Sequence, residues 1–279
     1  MKYHIEKNSV QETLVIPLYG RKKCSELYPN LFQDETAVRL IGQIDYDFSL
    51  LERRARSLMQ RFGFLEAAMR QNDLAWEVRD YLETHPNAAV VNLGCGLDNT
   101  GRRCDNGTCK LYNLDFPDVI AARNELLPAG EREENITCDL NDTAWFERID
   151  ASGGAVFFAA GVFYYFLTEQ VRALVQKMAA AFPGGRLGFD AANQKAVKLM
   201  LKTWIRDAEI RDVGAYFAVS DAKKELSPWA EGLRVSSRGY MLGYHDLKDP
   251  SVSRFFRFLA KIGDGKMDMQ IVQLTFGEA

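Results

Sequence analysis

The residues most able to do chemistry follow a short apolar run, in VVNLGCGLD from Val90 to Asp98. Gly94 and Gly96, flanking Cys95, let the backbone pass close to a bound ligand where a side chain would collide. A dinucleotide site would want a third glycine at position 99, opening a helix to receive pyrophosphate. Position 99 is Asn, Thr100 follows, and Asp98 puts negative charge where phosphate would sit. The loop therefore suits a ligand without phosphates. Two acids extend the pattern. Asp115 closes a second apolar run about 20 residues further on, where a carboxylate can accept hydrogen bonds from ribose hydroxyls. Asp139 closes a third, placed to take a hydrogen bond from an adenine amino group. Either Asp alone reads as a turn or cap residue. The ordered set, glycine loop then acid then acid, reads as a nucleoside site.

These residues need strands to carry them. Ala88–Leu93 reads as a buried strand, Lys110–Asp115 as a second, Asn135–Leu140 as a third, and the run from Gly154 to Phe166 as a fourth leading into a loop. Helices are expected after Phe116, where Pro117 lies near the first turn, and from Thr168 as cap to about Phe182. Arg186–Asp190 is the fifth strand. Alternating strands and helices at this spacing imply an α/β fold with a mostly parallel, doubly wound sheet and helices on both faces.

The first third is mostly helical. Thr13–Tyr19 is a short apolar run, followed by a polar loop to about Asn30. From Asp34 to Tyr81, apolar residues such as Phe48, Leu51, Ala55, Leu58 and Phe62 recur at helical intervals. Late in the chain, Gln194–Ile210 looks helical, Leu233–Leu242 extended, Ser251–Ile262 helical, and Met267–Phe276 alternates like a terminal strand. Residues 1–86 are expected to form a helical N-terminal cover. Residues 87–279 would then be the ligand-binding domain, with 191–232 as a lid shaping specificity.

Composition narrows the function classes. Thirty-five Lys and Arg against 38 Asp and Glu give a net charge of -3, which argues against a general nucleic-acid binder. The longest apolar stretch, Ala155–Leu167, is too short to span a bilayer, and the first residues lack a signal-peptide core. No membrane partner and a cytoplasmic location are the expectation. The five cysteines show no framework spacing. Cys104 and Cys109 lack a second ligand pair, so reduced thiols and no metal site are expected.

VVNLGCGLDNT, LYNLDFPDVIAARNELL and CDLND together resemble the leucine carboxyl methyltransferase family, which includes the polyketide O-methyltransferases. TLVIPLYGRKKCSE and AAGVFYYF fit the polyketide branch. The resemblance covers roughly residues 10 to 190, and its most specific feature is LGCGLD combined with LDFP. It implies a Rossmann-like class I fold with a seven-stranded sheet, and S-adenosyl-L-methionine as cofactor. By position, Gly94, Cys95 and Gly96 would line its methionine and ribose, and Asp115 and Phe116 its ribose. Asp139 and Leu140 would read adenine. Ala160 would lie against the cofactor, and Arg70 matches a family arginine that pairs with its carboxylate, a role suited to a guanidinium fork. Arg70 reads equally as an exposed helix arginine. Arg21 is a second, weaker candidate for a positive contact.

Ala160 stands where carboxyl methyltransferases of the family carry Glu, which turns the expectation away from leucine carboxyl chemistry. The implied function is O-methylation of a small-molecule acceptor, a polyketide-like phenol or a carboxylate. The alternatives are methylation of a protein C-terminal carboxyl, or a non-catalytic protein that binds the cofactor or keeps only the scaffold. A nicotinamide or flavin oxidoreductase is disfavoured by Asp98 and the missing glycine. Tyr165 matches a family tyrosine. His245, the only histidine in the last third, is a weak candidate for the base that a phenol with a pKa of about 10 would use.

Overall fold

A computed structural model describes residues 2–5, 12–200 and 216–278. Two short parallel strands, β1 (Tyr3–His4) and β2 (Ile44–Asp45), bracket the helices α1 (Glu12–Leu27) and α2 (Glu35–Gln43). Helices α3 (Ser49–Arg54) and α4 (Leu58–Thr84) then lead to the main sheet. Its strands are β3 (Ala89–Leu93), β4 (Lys110–Asp115), β5 (Glu133–Thr137), β6 (Ala155–Ala159), β7 (Arg186–Ala191), β8 (Arg234–Gly239) and β9 (Gln270–Thr275). They lie in the order β5-β4-β3-β6-β7-β9-β8, a seven-stranded sheet. All neighbours pair in parallel except β9, which is antiparallel to both β7 and β8. The sheet is the expected α/β, class I arrangement.

Burial follows the sequence texture. Every residue of β3 and β6 is buried, as continuous apolar runs in a sheet covered on both faces require. In register, Val91 sits between Tyr112 and Phe157. Strand order reverses at β3, with β4 to one side and β6 to the other. The crevice at the carboxyl end of β3 is thus the topological switch point where open α/β sheets bind ligands.

The connecting helices are α5 (Thr100–Arg103), α6 (Pro117–Leu126), α7 (Thr168–Ala181), α8 (Gln194–Met200), α9 (Ala222–Leu226) and α10 (Arg254–Lys266). The longest element, α4, is capped by Ser57, whose side chain accepts from the Gln60 N–H. Its second half packs on β6, β7 and β9. There the Leu74 side chain and the Glu77 Cβ lie where a Cβ on Gly188 would touch them, at 3.5 and 3.8 Å. Core residues from α1, α4, β3, β4, β6 and β9 form one apolar cluster, so the core continues across residue 86.

Three local expectations differ from the structure. The segment from Gly20 to Leu27, read as part of a polar loop, continues α1. Its charges are satisfied along the helix: Lys22 and Lys23 pair with Glu26, and Arg21 is buried against Asp34. The third strand begins earlier and stops at Thr137. Glu133 is acceptable there because Arg102 and Arg123 pair with it, and the Cys138 N–H turns to the Asp115 carbonyl. At α7, Thr168 is not the cap. Leu167 is, and its N–H donates to the Gln170 side chain. Of the helix expected over 194–210, residues 194–200 are seen as α8; the rest, like much of the expected lid, lies outside the described residues.

Candidate active site

The glycine loop leaves β3 with Gly94 at φ +63° and Gly96 at φ +47°, a region that L side chains avoid. A Cβ on Gly94 would come within 2.6 Å of Val162 Cγ2, in the loop after β6. The two strand-end loops on either side of the switch point therefore touch through the missing side chain. Asp115, at the end of β4, holds the loop by accepting the Gly96 N–H at 2.8 Å, and it also takes the Phe116 N–H at 2.8 Å. Burial raises its carboxyl pKa against the pull of those two bonds. Each carboxylate oxygen keeps a lone pair free for a ligand hydroxyl. Phe116 caps α6 with its ring half exposed.

Three elements clamp this loop from behind. Arg123 of α6 is fully buried and donates Nη1 to the Gly96 and Asp98 carbonyls, at 2.9 and 2.7 Å. Arg21 of α1 donates to the Leu97 carbonyl at 2.9 Å and to Asp34 at 2.9 Å. Thr100 donates its hydroxyl to Gln71 of α4 at 2.6 Å. Asp98 is turned inward, accepting from Thr100 and Asn92. The helix that follows, α5, is a single short turn. So short a helix offers little of the aligned dipole that pyrophosphate-binding loops use, and Asp98, expected to face a phosphate position, is turned away from it.

The other wall is built by β6, β7 and α4. Gly161, at φ +72°, follows Ala160 and donates its N–H to Asp190 Oδ1 at 2.6 Å. Arg70 reaches from α4 to Asp190 Oδ2 at 3.1 Å. A Cβ on Gly161 would lie 2.6 Å from Arg70 Nη1, so glycine is what lets the guanidinium lie flat against the loop. Arg70 Nε is buried with no acceptor among the described residues. Tyr164 hydrogen-bonds Asp190. Tyr165 lies close enough to Arg70 and Asp190 to feel both charges. Burial raises both phenol pKa values, so both tyrosines are neutral hydroxyls at neutral pH.

The sequence-predicted residues thus divide. Gly94, Cys95, Gly96, Asp115 and Phe116 lie together on one side of the crevice; Arg70, Ala160 and Tyr165 lie together on the other. Cys95 is buried, and its N–H bonds the Leu114 carbonyl. Asp139 falls beyond β5, exposed, with its carboxylate turned to Asn141 at 2.9 Å; Leu140 beside it is buried. Arg21 is committed to the loop carbonyl and Asp34 and is 3% exposed, so its role is to hold the loop. His245 is bonded through Nε2 to Asp73 Oδ1 at 2.7 Å. That places it beside α4 a helical turn from Arg70, in the direction of the middle of the sheet.

Sequence reasoning missed Asp190, Arg123 and a stripe on α4. Glu66, Arg70, Asp73 and Glu77 recur at intervals of four, three and four residues and so share one helix face. Charges at that spacing ordinarily mark a solvated face. Here the residues on the opposite face, among them Phe64, Ala68 and Ala75, are buried too, and apolar residues all round the helix were the available sign that this stripe is covered.

The profile of the leucine carboxyl methyltransferase family matches residues 21–179. The chain is 29% identical to the tetracenomycin polyketide synthesis O-methyltransferase TcmP of Streptomyces glaucescens, over 88% of each chain. It is 25% identical to the S-adenosyl-L-methionine-dependent methyltransferase dpfgK of Gibberella zeae, over 88% of this chain and 86% of that one. Among solved structures it is similar to a putative methyltransferase from Thermobifida fusca. The TM-score there is 0.60 at 16% identity, covering 88% of this chain and 93% of the other.

Proposed function

The chain belongs to the leucine carboxyl methyltransferase family and is an S-adenosylmethionine-dependent methyltransferase; from that premise we propose that it methylates a hydroxyl on a small, flat, polyketide-like acceptor. The observation that carries this reading is the pair of neutral tyrosines, Tyr164 and Tyr165, beside Arg70 and Asp190. An aromatic hydroxyl would meet phenol hydroxyls and ring faces at this wall. Ala160 leaves the strand end without a side-chain carboxylate, and the relative named for tetracenomycin polyketide synthesis supports the polyketide-like part of the reading.

The cofactor supplies a methyl group on a sulfonium, displaced in line and leaving a neutral thioether. The residues present fit it. Asp115 would hold ribose hydroxyls with its remaining lone pairs, and Gly94 and Gly96 would give backbone clearance. Phe116 and Leu140 would flank the base, with Asp139 at the rim. The unpaired Arg70 Nε is a buried donor suited to an amino-acid carboxylate. Tyr165 would orient the acceptor. Since the leaving group needs no protonation, most of the rate would come from alignment with water excluded.

Calorimetric titration with S-adenosylhomocysteine tests the cofactor side. Asp115→Ala should weaken binding by about 10- to 100-fold, the loss of charge-assisted hydrogen bonds worth about 1.5–3 kcal/mol. Equal affinity in the variant would sink the role given to Asp115. Transfer of labelled methyl to a panel of phenols and aromatic carboxylic acids tests the acceptor class, and turnover of the acids alone would overturn the hydroxyl reading.

A further inference from the structure

The geometry points to Glu66 as the general base that takes the proton from the acceptor hydroxyl, a role that rests on the hydroxyl reading above. Glu66 lies four residues before Arg70 on the same face of α4. Because α4 runs antiparallel to β7, with Glu77 beside Gly188 and Arg70 bonded to Asp190, the direction of the helix carries Glu66 outward. Four residues are a rise of about 6 Å, which sets it beyond Asp190, above the carboxyl edge of β7 and beside the wall that Arg70 and Asp190 form.

The groups around it are polar and fixed. Arg70 faces it from its own helix. Asp264 faces it from α10, with both carboxylate oxygens already taken by the Met241 and Leu242 N–H groups at 3.0 and 2.8 Å. Tyr240, after β8, donates its hydroxyl to the Glu66 carbonyl at 3.0 Å, which pins the backbone and leaves the side chain free. Beyond Arg70 lie Asp190 and Tyr164, and a turn further Asp73 with His245. The half-buried Glu66 carboxyl has no hydrogen-bond partner among the described residues, only these charges around it. Burial, with Asp264 adding to it and Arg70 opposing, pushes its pKa up to about 8. A carboxylate so raised is a far better match to a phenol than an ordinary one. His245, tied to Asp73, does not face this space.

The step balances simply. The acceptor O–H bond breaks and its proton passes to a Glu66 oxygen. The freed oxygen lone pair forms the O–CH3 bond while the S–CH3 electrons return to sulfur, turning the sulfonium into a thioether. The proton on Glu66 then leaves to water.

The test uses the full-length protein with S-adenosylmethionine and two probes on one ring system, naphthol and naphthoate. Wild type should methylate naphthol with kcat rising through a pKa of about 8. Glu66→Gln should lower kcat by roughly 100-fold or more while KM stays within about threefold, and should abolish that limb of the pH profile. Glu66→Asp should recover part of both. Melting of Glu66→Gln at or above the wild-type temperature at that pH separates this loss from unfolding. Naphthol turnover in Glu66→Gln with kcat and pH limb unchanged overturns the proposal and leaves the hydroxyl reading standing. Transfer to naphthoate alone, or to neither probe, removes the hydroxyl reading and the proposal with it.

Discussion

At the residue scale, the site depends on atoms that are missing. Gly161 shows this best, because its left-handed backbone and the proximity of Arg70 Nη1 both exclude a side chain. Gly161→Ala would add about 1–2 kcal/mol of backbone strain and displace the guanidinium from Asp190. We expect at least a tenfold loss of S-adenosylhomocysteine affinity with a far-ultraviolet spectrum unchanged; calorimetry on the variant checks it, and wild-type affinity would show that Arg70 is not needed in that pose. The glycine loop and Asp115 were legible in the sequence because backbone geometry selects glycine and the acid follows at a fixed interval. The Arg70–Asp190 pair was not, since it joins residues 120 positions apart, and no local spacing records that contact.

At the element scale, the loop between β3 and α5 is held by side chains from α1, α4 and α6. Arg123 is the strongest of these. It is 0% exposed, with donors to two loop carbonyls, Asn135 and Glu133. Replacing it with leucine leaves the carbonyls and the buried Glu133 short of a partner, a loss on the order of 3–5 kcal/mol. A fall of about 10 °C in melting temperature should follow, together with weakened cofactor binding; a melt within a degree or so of wild type would show that water replaces the guanidinium. The strands, their parallel pairing and a terminal strand followed from apolar runs and their spacing, whereas the strand order and the antiparallel setting of the last strand came only with the structure. The boundaries of α1 and β5 did not, because both contain charged residues that read as loop or strand end until their partners are seen. Lys22, Lys23 and Glu26 lie within one turn of each other and were the readable case; Glu133 with Arg102 and Arg123 was not.

At the scale of the whole molecule, α4 puts acids into the interior, and this sets a dependence on pH. Burial raises the Asp73 pKa to about 7 and that of Glu66 to about 8. In the unfolded chain both ionise near pH 4. Between those values the folded protein holds more protons than the unfolded one, so stability falls as pH rises from about 4 toward 8. Thermal melts of wild type, read against the double variant Asp73→Asn with Glu66→Gln, should therefore diverge progressively over that interval and run parallel above it. Parallel melts throughout would mean that neither acid is raised. The buried charged stripe itself is the part of the architecture the sequence concealed most fully, since its periodicity is that of any exposed helix face.

The three-sided grip on the glycine loop also makes the N-terminal helices part of the ligand's thermodynamics. Arg21 bonds the Leu97 carbonyl directly, so an occupant that stabilises the loop stabilises the docking of α1 by the same linkage that raises any folded state with its ligand. By the same reciprocity, loosening α1 would weaken the affinity of a cofactor bound at that loop. With the cofactor held at the glycine loop as proposed, α1 would be coupled to it through Arg21, and a sequence change that frees Arg21, far from the crevice, would set how tightly the enzyme holds its methyl donor.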